Sequence, residues 1–72
     1  MTNMADKLSK YIGEHLQDIR IKRGYTQAEV AARAGTKTNY YSKLERGLVS
    51  PSLKLLQKIV AVLEVRFRDI LP

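Results

Sequence analysis

Seventy-two residues, 44% of them apolar and none of them cysteine, allow one small hydrophobic core and exclude a disulfide framework or a thiolate metal site. No apolar run approaches the roughly 20 residues of a membrane span, and the opening MTNMADKLSK lacks the apolar stretch of a signal peptide, so the expected location is the cytoplasm. The net charge of +6 is uneven: residues 1–19 carry −1 and 47–72 carry +2, whereas 20–46 carry +5, with Arg20, Lys22, Arg23, Arg33, Lys37, Lys43 and Arg46 set against Glu29 and Glu45. Such a region attracts polyanions, chiefly nucleic acid or an acidic membrane surface; a merely solvated surface is the plain alternative, and charge alone does not choose.

Gly24, Gly35 and Gly47 each follow a helix-compatible stretch and divide the chain into helical segments. The first is expected from about Ala5 to Arg23, with Leu8, Ile12, Leu16 and Ile19 on one apolar face and Lys10, Glu14, Asp18 and Lys22 forming an ion-pair stripe on another. Gly13 inside it costs about 1 kcal/mol relative to alanine unless close packing requires a missing side chain. His15, the only histidine, reads as a surface helical residue rather than a ligand or base.

Thr26-Gln27-Ala28-Glu29 has the spacing of a capping box and opens a short second helix to Ala34, whose inward residues Val30, Ala31 and Ala34 are small enough for another helix to cross closely. After Gly35 and the connection Thr36-Lys37-Thr38, a third helix is expected from about Thr38 to Glu45. Two short helices joined by such a turn form a helix-turn-helix pattern. Ser50-Pro51 reads as cap and first residue of a fourth helix carrying Leu53, Leu56, Ile59, Val60 and Leu63 on one face, and a short fifth helix is expected over about Phe67–Leu71. The expectation is an all-α compact bundle of five short helices forming a single domain over 1–72, without strands, repeats or a linker.

The residues Arg20, Arg23-Gly24, Tyr25 to Ala31, Gly35, Ser42 to Gly47, Pro51-Ser52-Leu53, Val65 and Asp69-Ile70-Leu71 together give the chain a resemblance over Ile12–Leu71 to the Cro and phage-repressor (XRE) helix-turn-helix DNA-binding domain. That resemblance implies a lambda-repressor-like bundle whose third helix lies in the major groove of double-stranded DNA. It places base contacts on Lys37, Thr38, Asn39 and Lys43: asparagine suits adenine, lysine suits guanine O6 or N7, and threonine suits a base edge or a thymine methyl. It places a phosphate contact on Gln27, with an ordinary first-turn residue as the alternative; Arg46, Ser42 and the Tyr40 hydroxyl are further phosphate candidates, with packing as the alternative for Tyr40. It also implies an ion pair between Arg20 and Glu45, a scaffold element rather than a base contact.

The chain departs from the family pattern in three places. Tyr41 stands where an aliphatic core residue is usual, Leu48-Val49 replaces a polar loop, and Arg66 stands where a small capping residue is usual. The leading expectation is a transcriptional regulator of repressor or controller type, a two-fold homodimer on a palindromic operator. Its interface is placed on Leu48, Val49, Phe67, Ile70 and Leu71, with closure of the monomer core as the alternative for the same residues. The other reading is a protein-interaction module, such as an adaptor or antitoxin partner. No catalytic residues, metal or cofactor are expected, because one histidine and no nucleophile set near a base leave no enzymatic constellation.

Overall fold

The computed structural model describes residues 4–72, with side chains from Lys7 onward; residues 1–3, which the single-domain expectation takes in, lie outside the described residues. Four α-helices follow one another, α1 Met4–Arg23, α2 Gln27–Ala34, α3 Thr38–Glu45 and α4 Leu53–Leu63, and a 3-10 turn spans Phe67–Asp69. No strand occurs among the described residues. The expected fifth helix is thus a single turn. Its bonds run from Asp69 N–H to Arg66 O (2.9 Å) and from Ile70 N–H to Phe67 O (3.0 Å), the i→i+3 pattern that very short segments adopt. The Asp69 carboxylate accepts from Arg66 N–H at 2.8 Å and closes this turn, so the backbone of Arg66 is tied although its side chain is exposed.

Ile12 and Leu16 of α1, Val30, Ala31 and Ala34 of α2, Tyr41 and Leu44 of α3, Leu56, Ile59, Val60 and Leu63 of α4, and Ile70 form one core. α2 packs against α4 and α3, and α1 packs against α3. Gly13 explains itself at the α1–α3 crossing: a Cβ there would collide with the carbonyl oxygen of Leu44 and lie 2.6 Å from that of Glu45. Gly47 permits a second close approach, since its Cβ would meet Lys10 Cα at 2.8 Å. α1 therefore presses directly on the end of α3 and the loop that follows it.

The fourth helix begins later than Ser50-Pro51 implies. Ser52 is its cap, accepting from Leu55 N–H at 3.1 Å, while the Ser50 hydroxyl is drawn away to that of Ser9, 2.8 Å distant on α1. Leu53 consequently opens the helix in solvent, 68% exposed, instead of joining the apolar face. Lys10, Glu14, Asp18 and Lys22 are all exposed, but among the described residues no ion pair joins them. His15 is half-buried, stacked on Tyr11 with centroids 4.0 Å apart, and its Nδ1 lies 2.8 Å from Tyr11 O. No described helix is long and apolar enough to cross a membrane.

Candidate nucleic-acid interface

α2 starts on a complete capping box: Glu29 N–H donates to Thr26 Oγ1 (3.0 Å) and Thr26 N–H to Glu29 Oε1 (2.9 Å). The bond from Thr26 N–H holds the Glu29 carboxyl below its ordinary value of 4.5, helped by the Thr26 side chain and by nearby Arg33. α2 ends on Gly35 in the left-handed conformation (φ +77). The connection then reaches Lys37, which precedes α3 without offering it a side-chain cap. Tyr41 N–H makes the first helical bond, to Lys37 O, so the N–H groups of Thr38, Asn39 and Tyr40 begin α3 without helical partners.

Successive residues of α3 turn by about 100°, which gathers Thr38, Ser42, Arg46, Asn39 and Lys43 onto one arc of roughly 140° and turns Tyr41, Leu44 and Glu45 to the other side. Burial follows that division. Thr38, Asn39, Lys43, Arg46 and the preceding Lys37 are exposed, Ser42 and Tyr40 are half-buried, and Tyr41, Leu44 and Glu45 are buried. Of the residues named from the resemblance for contact with bases, Thr38, Asn39 and Lys43 thus share one accessible face of α3, and Lys37 is exposed just before its first turn.

The inward face is held by a network. Glu45 is 4% exposed. Its Oε2 accepts from Arg20 Nε at 2.6 Å and its Oε1 from Arg20 Nη2 at 3.1 Å, a two-pronged ion pair between α1 and α3. Arg20 Nη1 donates further to Tyr25 O (2.8 Å), which fixes the α1–α2 loop. The Tyr25 ring in turn carries the Arg33 guanidinium at 4.9 Å from its centroid. Gln27 Nε2, at the start of α2, donates to Glu45 Oε1 at 2.9 Å. This bond commits an amide that sequence reasoning assigned to a phosphate, and nothing in the sequence indicates it. The Tyr41 ring fills the core, with its hydroxyl buried beside Arg20 and Glu45 and without a hydrogen bond. Burial, reinforced by the Glu45 charge, pushes that hydroxyl far above the usual phenol range.

Glu45 is also the only acidic residue between Glu29 and Glu64. Because it is buried and matched by Arg20, the exposed surface of residues 30–63 carries Arg33, Lys37, Lys43, Arg46, Lys54 and Lys58 and no carboxylate of its own, although Arg33 lies near the Glu29 carboxylate. An anionic ligand suits this surface.

The five residues considered for an interface between copies are placed differently from one another. Leu48 is 62% exposed, whereas Ile70 is fully buried and therefore unavailable for direct contact. Val49, Phe67 and Leu71 are half-buried against the core.

The Helix-turn-helix family model matches residues 16–70. The HTH-type transcriptional regulator SinR of Bacillus subtilis is 38% identical over 61 residues, a stretch that takes in 83% of this chain and 55% of SinR. The chain thus spans about half the length of such curated relatives. Among solved structures, the clp gene regulator ClgR from Corynebacterium glutamicum superposes with a TM-score of 0.85 at 30% identity, over 88% of this chain and 67% of ClgR. The restriction-modification controller protein C.AhdI from Aeromonas hydrophila superposes with a TM-score of 0.82 at 26% identity, over 86% and 94% of the two chains.

Proposed function

The chain belongs to the XRE helix-turn-helix family, whose members compared above are regulators rather than enzymes, and we propose that it binds double-stranded DNA in a sequence-specific manner as a transcriptional regulator. The observation that carries this reading is the two-sided character of α3. Its one carboxylate is buried and paired, and its outward arc holds only hydrogen-bonding and cationic side chains. A B-DNA major groove about 12 Å wide accepts one helix and shows each base pair as a distinct donor and acceptor pattern. Asn39, Lys43, Lys37 and Thr38 are the side chains assigned to base edges. Ser42, Arg46 and the Tyr40 hydroxyl are assigned to phosphates, which set register without reading sequence.

One head of this size gives modest affinity, and two heads about 34 Å apart on a palindromic site combine theirs. We assign the homodimer contact to Leu48, Val49, Phe67 and Leu71, leaving Ile70 to the monomer core. Light scattering on a sizing column tests the assembly: a mass near twice 8.2 kDa is expected, and a strict monomer at high concentration rejects the dimer. Binding itself is tested by fluorescence anisotropy with labelled duplex across a salt series. With four to six phosphates neutralised per head, log affinity falls against log salt with a slope of about −0.9 for each contact. The exposed Leu48 favours the interaction-module reading as the second choice. Salt-insensitive behaviour toward every duplex, together with a tight protein partner, would select it.

A further inference from the structure

We propose that Gln27 is a positioning residue for the recognition helix, acting through Glu45 rather than chiefly as a phosphate ligand; its role in base selection rests on the DNA-binding reading above. Gln27 is the first residue of α2 and Glu45 the last of α3, and the 2.9 Å bond between them is a side-chain link between the two helices of the motif. Glu45 Oε1 is shared: it accepts from Gln27 of α2 and from Arg20 of α1, so one buried oxygen fixes α3 against both neighbours. A hydrogen bond to a buried carboxylate is stronger than one between neutral groups, and its loss leaves part of that charge unmatched. Arg20 and the close crossing at Gly13 hold the end of α3 from the α1 side, and Gln27 supplies the hydrogen bond that holds Glu45 from the α2 side; without it the end of α3 loses that restraint. Lys43 and Arg46, within two residues of Glu45, would shift with it.

Gln27→Ala removes the donor, and Gln27→Met removes it while keeping side-chain length and helix propensity, which separates hydrogen bonding from packing. Amide hydrogen exchange of the free protein is the first readout. Positioning predicts exchange about tenfold faster at Leu44, Glu45 and Arg46 in both variants. Affinity for a duplex selected by the parent protein is the second readout, with an unselected duplex of equal length as its reference. Positioning predicts about a tenfold loss on the selected duplex and a clearly smaller loss on the unselected one, because Lys43 at the base edges shifts together with Arg46 at the phosphates. Equal losses on both duplexes with unchanged exchange overturn the proposal in favour of a phosphate contact. Parent-like behaviour of Gln27→Met overturns it in favour of packing. If the parent protein binds no duplex, the DNA-binding reading fails, and the exchange data still decide whether Gln27 holds α3.

Discussion

Glu45 is the residue at which burial and charge meet. Replacing it with alanine strands the Arg20 guanidinium, only 12% exposed, without its counter-charge, and should cost about 3–5 kcal/mol in denaturant unfolding. Replacing both partners by methionine should cost much less, because no uncompensated charge remains. Tyr41→Phe tests the neighbouring hydroxyl. Since that group is buried without a partner, its removal with the ring retained should stabilise the protein by about 1 kcal/mol. A loss of similar size would mean that the hydroxyl is bonded to Glu45. Glu29 supplies a pH dependence of definite sign. Its folded-state pKa is depressed, so its contribution is complete above the ordinary 4.5 and is lost as pH falls through the lowered value. The melting temperature of Glu29→Gln should therefore lie below the parent's at neutral pH and converge on it under acid. At this scale the resemblance supplied the Arg20–Glu45 pair, whereas the Gln27–Glu45 bond depends on how α2 crosses α3 and leaves no periodic trace in the sequence.

The elements were most legible where their ends are decided locally. Thr26 with Glu29 marks the start of α2 and Gly35 its end, since both devices use residues within one turn. The start of α4 was not legible, because Ser50 and Ser52 are each chemically able to cap and the choice falls to a contact 41 residues away, Ser9 with Ser50. Gly13 was legible only as an anomaly, and its reason is the carbonyl surface of α3. Gly13→Ala should lower stability by about 2–3 kcal/mol, more than helix propensity would gain, because a backbone carbonyl cannot turn aside as a side chain does. A variant as stable as the parent would deny the close crossing. Glu64 ends α4 in the left-handed region (φ +58), where a side chain is strained. Glu64→Gly should accordingly raise stability by about 1 kcal/mol, measurable as a higher melting temperature.

Across the whole molecule, the +5 charge of residues 20–46 indicated a polyanion from the sequence, but composition could not say which charges face solvent. The fold decides this by sinking Glu45 beneath Arg20 and leaving residues 30–63 with six exposed cations and no exposed carboxylate of their own. The same arrangement separates reading from holding: Asn39 and Lys43 project outward while Tyr41, Leu44 and Glu45 anchor the helix that carries them. The most direct measurement of that division is selection of bound sequences from a random duplex pool by the parent protein and by Asn39→Ala and Lys43→Ala. A reading helix predicts a defined preferred sequence for the parent and relaxed preference at particular positions in each variant, with losses of about 1–3 kcal/mol there. Identical sequence preferences in all three proteins, with affinity lowered alike on every duplex or not at all, would contradict the assignment of α3 as the reader.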